Sequence, residues 1–199
     1  MTNKPTPAQS AEDIQRAVAV LRKGGVILYP TDTIWGIGCD ATNEAAVRRV
    51  YEIKRRADSK SLIVLVDSAD RMQRYVRDVP EVAWQLVDAL GDDSPSPTTL
   101  VLDGAVNLAP NLIADDGSIG IRITHEAFSR ELCYRFQRAL VSTSANFSGD
   151  PSPRTFADIP EELKAQVDYV CTSRQRDTRP GNPSKIIKLG RDGVVKVIR

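Results

Sequence analysis

A chain of 199 residues, 41% hydrophobic and 27% charged, has the composition of an ordinary globular protein with one sizeable core or at most two small ones. Its net charge of +1 neither demands nor excludes a nucleic-acid partner, and its apolar runs are strand-sized, which excludes a membrane-spanning helix. Three widely spaced cysteines (Cys39, Cys133, Cys171) and a single histidine, His125, argue against a disulfide framework, a zinc cluster and any mechanism that needs two histidines.

The opening MTNKPTPAQS lacks the apolar core of a signal peptide, so a cytoplasmic location is expected. Residues 1–10 read as a flexible arm and 11–199 as one domain, since no repeat and no linker divides the chain. Ser10 is placed to cap a first helix with Asp13 three residues on, and Ile14, Ala17, Val18 and Leu21 fall on its inner face.

A strand, Val26 to Tyr29, follows and stops at Pro30. Thr31, Asp32 and Thr33 come next, then a second apolar piece, Ile34 to Cys39, with Gly36 and Gly38 two apart. Bare backbone beside hydroxyls suits a tight hairpin and a small-molecule site equally. Thr42 or Asn43 caps a helix with Val47, Val50 and Tyr51 inward, which runs into the cations Lys54, Arg55, Arg56 and Lys60 before a strand, Leu62 to Val66. The plainer account is that cations favour a helix C-terminus; the alternative is a phosphate clamp.

Asp67 or Ser68 then caps a short helix, and a longer one starts at Pro80 and stops at Gly91. The stretch 92–97 is a loop, Thr99 to Leu102 a strand, and Ser118 to Ile123 alternates so that Arg122 shares a face with Ser118 and Gly120. A mid-strand arginine requires an anion or solvent; Asp32, a ligand carboxylate and water all qualify.

After a helix from His125 to Arg138, the strand Ala139 to Val141 enters a second polar patch, Ser142 to Pro153, rich in hydroxyls at a strand end where ligands commonly bind in α/β folds. A helix near Glu161 and a strand from Asp168 to Cys171 precede an arginine-rich loop, Thr172 to Pro183, expected to be mobile. A hairpin, Ser184 to Leu189 with Val194 to Ile198, ends the pattern.

There is no P-loop, complete dinucleotide fingerprint, nucleophile elbow or HExxH motif. What remains is a set of hydroxyl-rich or cationic strand ends, suited to holding and positioning a polyanion.

These motifs resemble those of the YrdC-like threonylcarbamoyl-AMP synthase family. Tyr29 to Gly38 is similar to its YPT[DE]TxYGLG signature. Lys54-Arg55-Arg56 with Lys60 to Val64 resembles KxRP…KPLxV, Ser96 to Leu102 resembles GPxTLVL, Ile119 to Ile123 the strand ending in VRxP, and Ser142 to Gly149 SxSANxSG. The resemblance implies one α/β domain with a twisted mixed or parallel sheet, flanking helices and a large open cavity. It implies formation of threonylcarbamoyl-AMP and pyrophosphate from L-threonine, bicarbonate and ATP, with other proteins passing the threonylcarbamoyl group to tRNA.

By the same resemblance, Thr33, Arg122, Ser142 and Ser184 hold threonine. Lys54, Arg56, Lys60, Ser118, Ser144, Asn146, Ser152 and Arg199 hold ATP, and Arg56 and Lys60 carry the catalysis. Magnesium is expected with ATP, without a dedicated protein site. The chain departs from the family pattern at Ala57, Ser61, Leu65, Ser96, Lys185 and Lys188. Two further readings are a paralogue acting on a different carbamoyl adenylate, and a tRNA- or double-stranded-RNA-binding module using cations between Arg174 and Arg199.

Overall fold

The first strand of the chain is also the most completely buried: Ile27, Leu28 and Tyr29 (Ile27–Tyr29, β1) are inaccessible to solvent. A computed structural model describes residues 7–55, 62–91, 97–178, 181–190 and 194–199. In chain order the remaining strands are Gly36–Gly38 (β2), Ile63–Val66 (β3), Thr98–Asp103 (β4), Ser118–Ile123 (β5), Leu140–Ser144 (β6), Tyr169–Val170 (β7), Lys185–Leu189 (β8) and Val195–Val197 (β9). The helices are Pro7–Arg22 (α1), Glu44–Ile53 (α2), Ala69–Gln73 (α3), Glu81–Leu90 (α4), Ala127–Phe136 (α5) and Glu161–Lys164 (α6).

Among the described residues the strands form one mixed sheet in the order β7-β1-β2-β6-β3-β5-β4-β8-β9. β7 with β1, β3 with β5 and β4 with β8 run parallel, and the other neighbours antiparallel. This is the single α/β domain with flanking helices that the resemblance implied. No helix among the described residues is long and apolar enough to cross a membrane.

Register sorts the side chains onto two faces, because directly opposed residues point the same way. Gly36 lies opposite Ser144, Ser142 opposite Ile63, Ile63 opposite Gly120, and Arg122 two residues beyond Gly120. That face mixes small and polar residues with the apolar Ile63, Leu65 and Leu140. The other carries Ile37, Val141, Val64, Ile121 and Leu100, all buried. Ser142 and Ser144 are thus strand residues, two positions apart on one face, and not members of the loop that follows.

The close approach of β1, β2 and β6 depends on glycine. A Cβ on Gly38 would lie 2.6 Å from the Tyr29 ring and 2.8 Å from the Val141 carbonyl oxygen.

Side-chain caps start three of the helices. Asn43 accepts from Ala46 N–H at 3.1 Å to start α2, and Ser68 accepts from Arg71 N–H at 3.2 Å to start α3. Glu126 starts α5 by accepting from the N–H groups of Phe128 and Ser129 at 3.2 and 2.8 Å.

α1 departs from expectation. It begins at Pro7, a residue favoured in a first helical turn, so Ser10 is already helical. Asp13 is buried, and accepts from the Tyr169 hydroxyl (2.7 Å) and from the N–H groups of Thr172 (3.0 Å) and Ser173 (2.7 Å). Those bonds tie down the start of the loop that composition alone marked as mobile. Burial raises the pKa of all three thiols, Cys39, Cys133 and Cys171, so none is a nucleophile at neutral pH.

Candidate active site

The β1–β2 turn, the C-terminal end of β6 and the start of β3 meet at one end of the sheet, because β6 runs antiparallel to both β2 and β3. Between them lies a cavity of about 300 Å³. Thr33, Trp35, Arg122, Ser142, Ser144, Ser152, Ser184 and Arg199 are among its walls, so residues far apart in the chain converge on one space. A second chamber of about 280 Å³ shares Thr33, Ile34 and Trp35 with it, and a third of about 410 Å³, walled by Val87, Leu90, Leu100 and Ile121, shares Asp32, Pro97 and Arg174 with the second.

The hydroxyls of the first turn are bonded in a directed chain. Thr31 Oγ1 donates to Ile34 O at 2.7 Å, so its only proton is committed. Thr33 Oγ1, 3.0 Å from Thr31 Oγ1, must therefore donate to it, and in turn accepts from Arg122 Nη2 at 3.3 Å. Thr33 is left with acceptor capacity only, matched to an N–H or O–H on a ligand.

Arg122 is 3% exposed. Its Nη2 also sits 3.1 Å from Asp32 Oδ1, a close ion pair that lacks the alignment of a hydrogen bond. Its Nε is buried with no partner. A buried guanidinium N–H left unpaired is costly, and a ligand oxygen at the cavity wall would satisfy it. Asp32 has its pKa raised, first by burial, with Arg122 opposing and Glu126 adding to the rise.

Ser184 and Thr99 face each other, hydroxyl to hydroxyl, at 3.0 Å, and Arg199 Nε donates to Ser184 O at 3.1 Å, which brings Arg199 to the wall. Behind the first turn, Arg174 donates to Thr31 O at 3.0 Å and pairs with Glu126 (3.2 Å) and Asp177 (2.7 Å). Burial works against its charge, but those two carboxylates hold its pKa above the ordinary value. Gly181 packs so tightly on the turn that a Cβ there would fall 1.8 Å from Thr33 O.

Three expected ligand residues do not reach this wall. Lys54 is buried with its ammonium on the carbonyl oxygens of Ser144 (2.6 Å) and Asn146 (2.8 Å), beneath the turn. Asn146 donates to Phe147 O (2.9 Å) and Asp150 O (2.7 Å), shaping that turn from within. Ser118 opens β5 at the same end of the sheet as the start of β3, but is turned to Asp116, donating to its Oδ1 at 2.6 Å. Arg56 and Lys60 lie outside the described residues.

Arg55 turns away, over the Phe147 ring at 4.1 Å and paired with Glu162. Trp35, which lines the cavity and packs on Phe156 with ring centroids 4.7 Å apart, was not singled out from sequence, although a tryptophan between a polar turn and two glycines was a usable signal.

Among the described residues no group of three or more His, Cys, Asp or Glu side chains could hold a metal ion, and none of those lining the cavity is an Asp or Glu. The described residues therefore do not fit a protein-held divalent cation.

Residues 19–199 match the Sua5–YciO–YrdC family model, which carries the description telomere recombination. A threonylcarbamoyl-AMP synthase of Xanthomonas euvesicatoria pv. vesicatoria is 39% identical over 159 residues, covering 79% of this chain and 84% of the relative. The crystal structure of P. abyssi Sua5 complexed with L-threonine superposes with a TM-score of 0.81 at 26% identity, over 94% of this chain and 53% of that one. E. coli YciO gives 0.81 at 25% identity, over 98% and 91%.

Proposed function

The chain belongs to the Sua5–YciO–YrdC family, and from that premise we propose that it is an L-threonylcarbamoyladenylate synthase. It joins L-threonine, bicarbonate and ATP into threonylcarbamoyl-AMP, with release of pyrophosphate and water. The observation that carries this reading is Arg122, a buried guanidinium whose Nε has no hydrogen-bond partner, in the wall of a cavity whose described residues are rich in hydroxyls and include no Asp or Glu. A guanidinium is the bidentate partner of a carboxylate, and threonine supplies one.

Thr33, Ser142 and Ser184 then surround the rest of the amino acid. Thr33, with acceptor capacity only, takes the carbamate N–H or the substrate hydroxyl. The nucleotide lies toward Ser144, Ser152 and Arg199. Lys60 lies two residues and Arg56 six residues before Leu62, which lines the cavity with Ile63, and that proximity in the chain supports their assignment to the phosphates.

In the reaction a carbamate oxygen attacks the α-phosphorus and the bond to pyrophosphate breaks. Arg56 and Lys60 offset the charge that develops on the leaving group. No described side chain in the wall is a dedicated general base, and alignment of the reactants supplies the main catalytic effect. Magnesium enters with the phosphates of ATP. The product passes to tRNA-modifying transferase proteins in the cytoplasm.

The test is direct. Purified protein incubated with ATP, labelled bicarbonate and L-threonine should release pyrophosphate and form a labelled adenylate; ATP turnover independent of threonine would count against the assignment. RNA binding that is steeply salt-dependent and indifferent to ATP would favour an RNA-binding module instead.

A further inference from the structure

Asp32 has no part in the reaction as set out above. We infer that it is the positioning residue for Arg122, its carboxylate fixing which edge of the guanidinium faces the substrate. The inference rests on the reading of the cavity as a threonine site.

Asp32 lines the second and third chambers and is not in the wall of the substrate cavity, so it meets Arg122 from behind. Arg122 is buried and Asp32 partly so, with side chains 4% and 12% exposed, at a separation of 3.1 Å. The same Nη2 reaches Thr33, so one corner of the guanidinium is held by a charge and a hydroxyl while Nε stays without a partner. A corner pinned in this way leaves the rest of a planar fork presented in one orientation.

The surrounding charges leave this task to Asp32. Arg174, which shares the second and third chambers with Asp32, is engaged by Glu126 and Asp177, and Glu126 is also occupied capping α5; His125 also lines the third chamber. Without Asp32, the buried guanidinium would face only the neutral hydroxyl of Thr33 and its orientation would loosen. Because Asp32 acts through Arg122, its removal should matter only while Arg122 is present.

A double-mutant cycle on L-threonine affinity, measured by calorimetry with the full chain, tests this. Asp32→Asn should weaken threonine binding by about tenfold or more in the wild-type background, as expected for loss of a charge-assisted contact. It should have an effect of less than about twofold in an Arg122→Lys background. Asp32→Glu, which keeps the charge but displaces it, should fall between and serves as the variant if Asp32→Asn does not fold; thermal unfolding checks that. Equal losses in both backgrounds, or unchanged affinity in Asp32→Asn, would overturn the positioning role and leave the threonine site intact. Absence of saturable threonine binding to the wild-type protein would overturn both.

Discussion

The two polar turns at the cavity are neighbours on one end of the sheet and are built in opposite ways. In the turn at 31–33 the side chains bond to one another and then to Arg122, so Thr33 both stabilises the turn and faces the cavity. In the turn after Ser144 the shape comes from below: a buried ammonium gathers two carbonyl oxygens, and Asn146 gathers two more. The serine hydroxyls above are left for other work. The first turn couples binding to its own integrity, whereas the second separates scaffold from surface.

The sharpest way to break that contrast is Lys54→Met. It strips the charged donor from two buried carbonyls, and should cost about 2–4 kcal/mol in denaturant unfolding and disable nucleotide use. A variant of normal stability would show that the second turn holds itself. Gly181→Ala attacks the first turn through its backbone, since the Thr33 carbonyl cannot yield cheaply to a Cβ. Loss of about 1–3 kcal/mol together with weakened threonine binding is expected, against little change in ATP affinity.

Thr31→Val removes the donor to Ile34 O and the acceptor for Thr33. Because function and scaffold are joined in this turn, a stability loss of about 1 kcal/mol should be accompanied by a several-fold rise in the threonine dissociation constant.

The smallest effect lies away from both turns. Asp116 has its pKa lowered to about 2, chiefly by the hydrogen bond from Lys188 and then by Ser118. A carboxyl depressed in the folded state adds stability that is present above its ordinary pKa of about 4 and is lost as pH falls toward about 2. Acid unfolding of Asp116→Asn should therefore be shallower across that window.

The contrast between the turns also marks how far the sequence could be read. The first was legible because Thr31, Asp32 and Thr33 sit together in the chain, and the alternation of Ser118 to Ile123 placed Arg122 on the correct face of its strand. Asp32 was among three open partners for that arginine; choosing needed the fold, since 90 positions separate the two. Lys54 was harder. A cation at a helix end is ordinarily solvated, and nothing local says that this helix end is covered by a strand end some ninety residues on. Asp13 failed for the same reason: its spacing from Ser10 matched a capping pattern, while its actual partners lie beyond β7. Local rules located the elements, and side chains whose partners are remote were the ones misread.

The burial of Cys39, Cys133 and Cys171 gives the molecule a built-in reporter. Alkylating reagents and mild oxidants should find no thiol to modify while the chain is folded. Labelling can proceed only during openings that expose the interior, so its rate at each cysteine measures how often that part of the core comes apart. Cys39 follows β2, level with Val141 inside the sheet, and Cys171 follows β7 at the sheet edge. Two thiols in one chain thus record the opening of the sheet interior and of its edge separately, without any added probe.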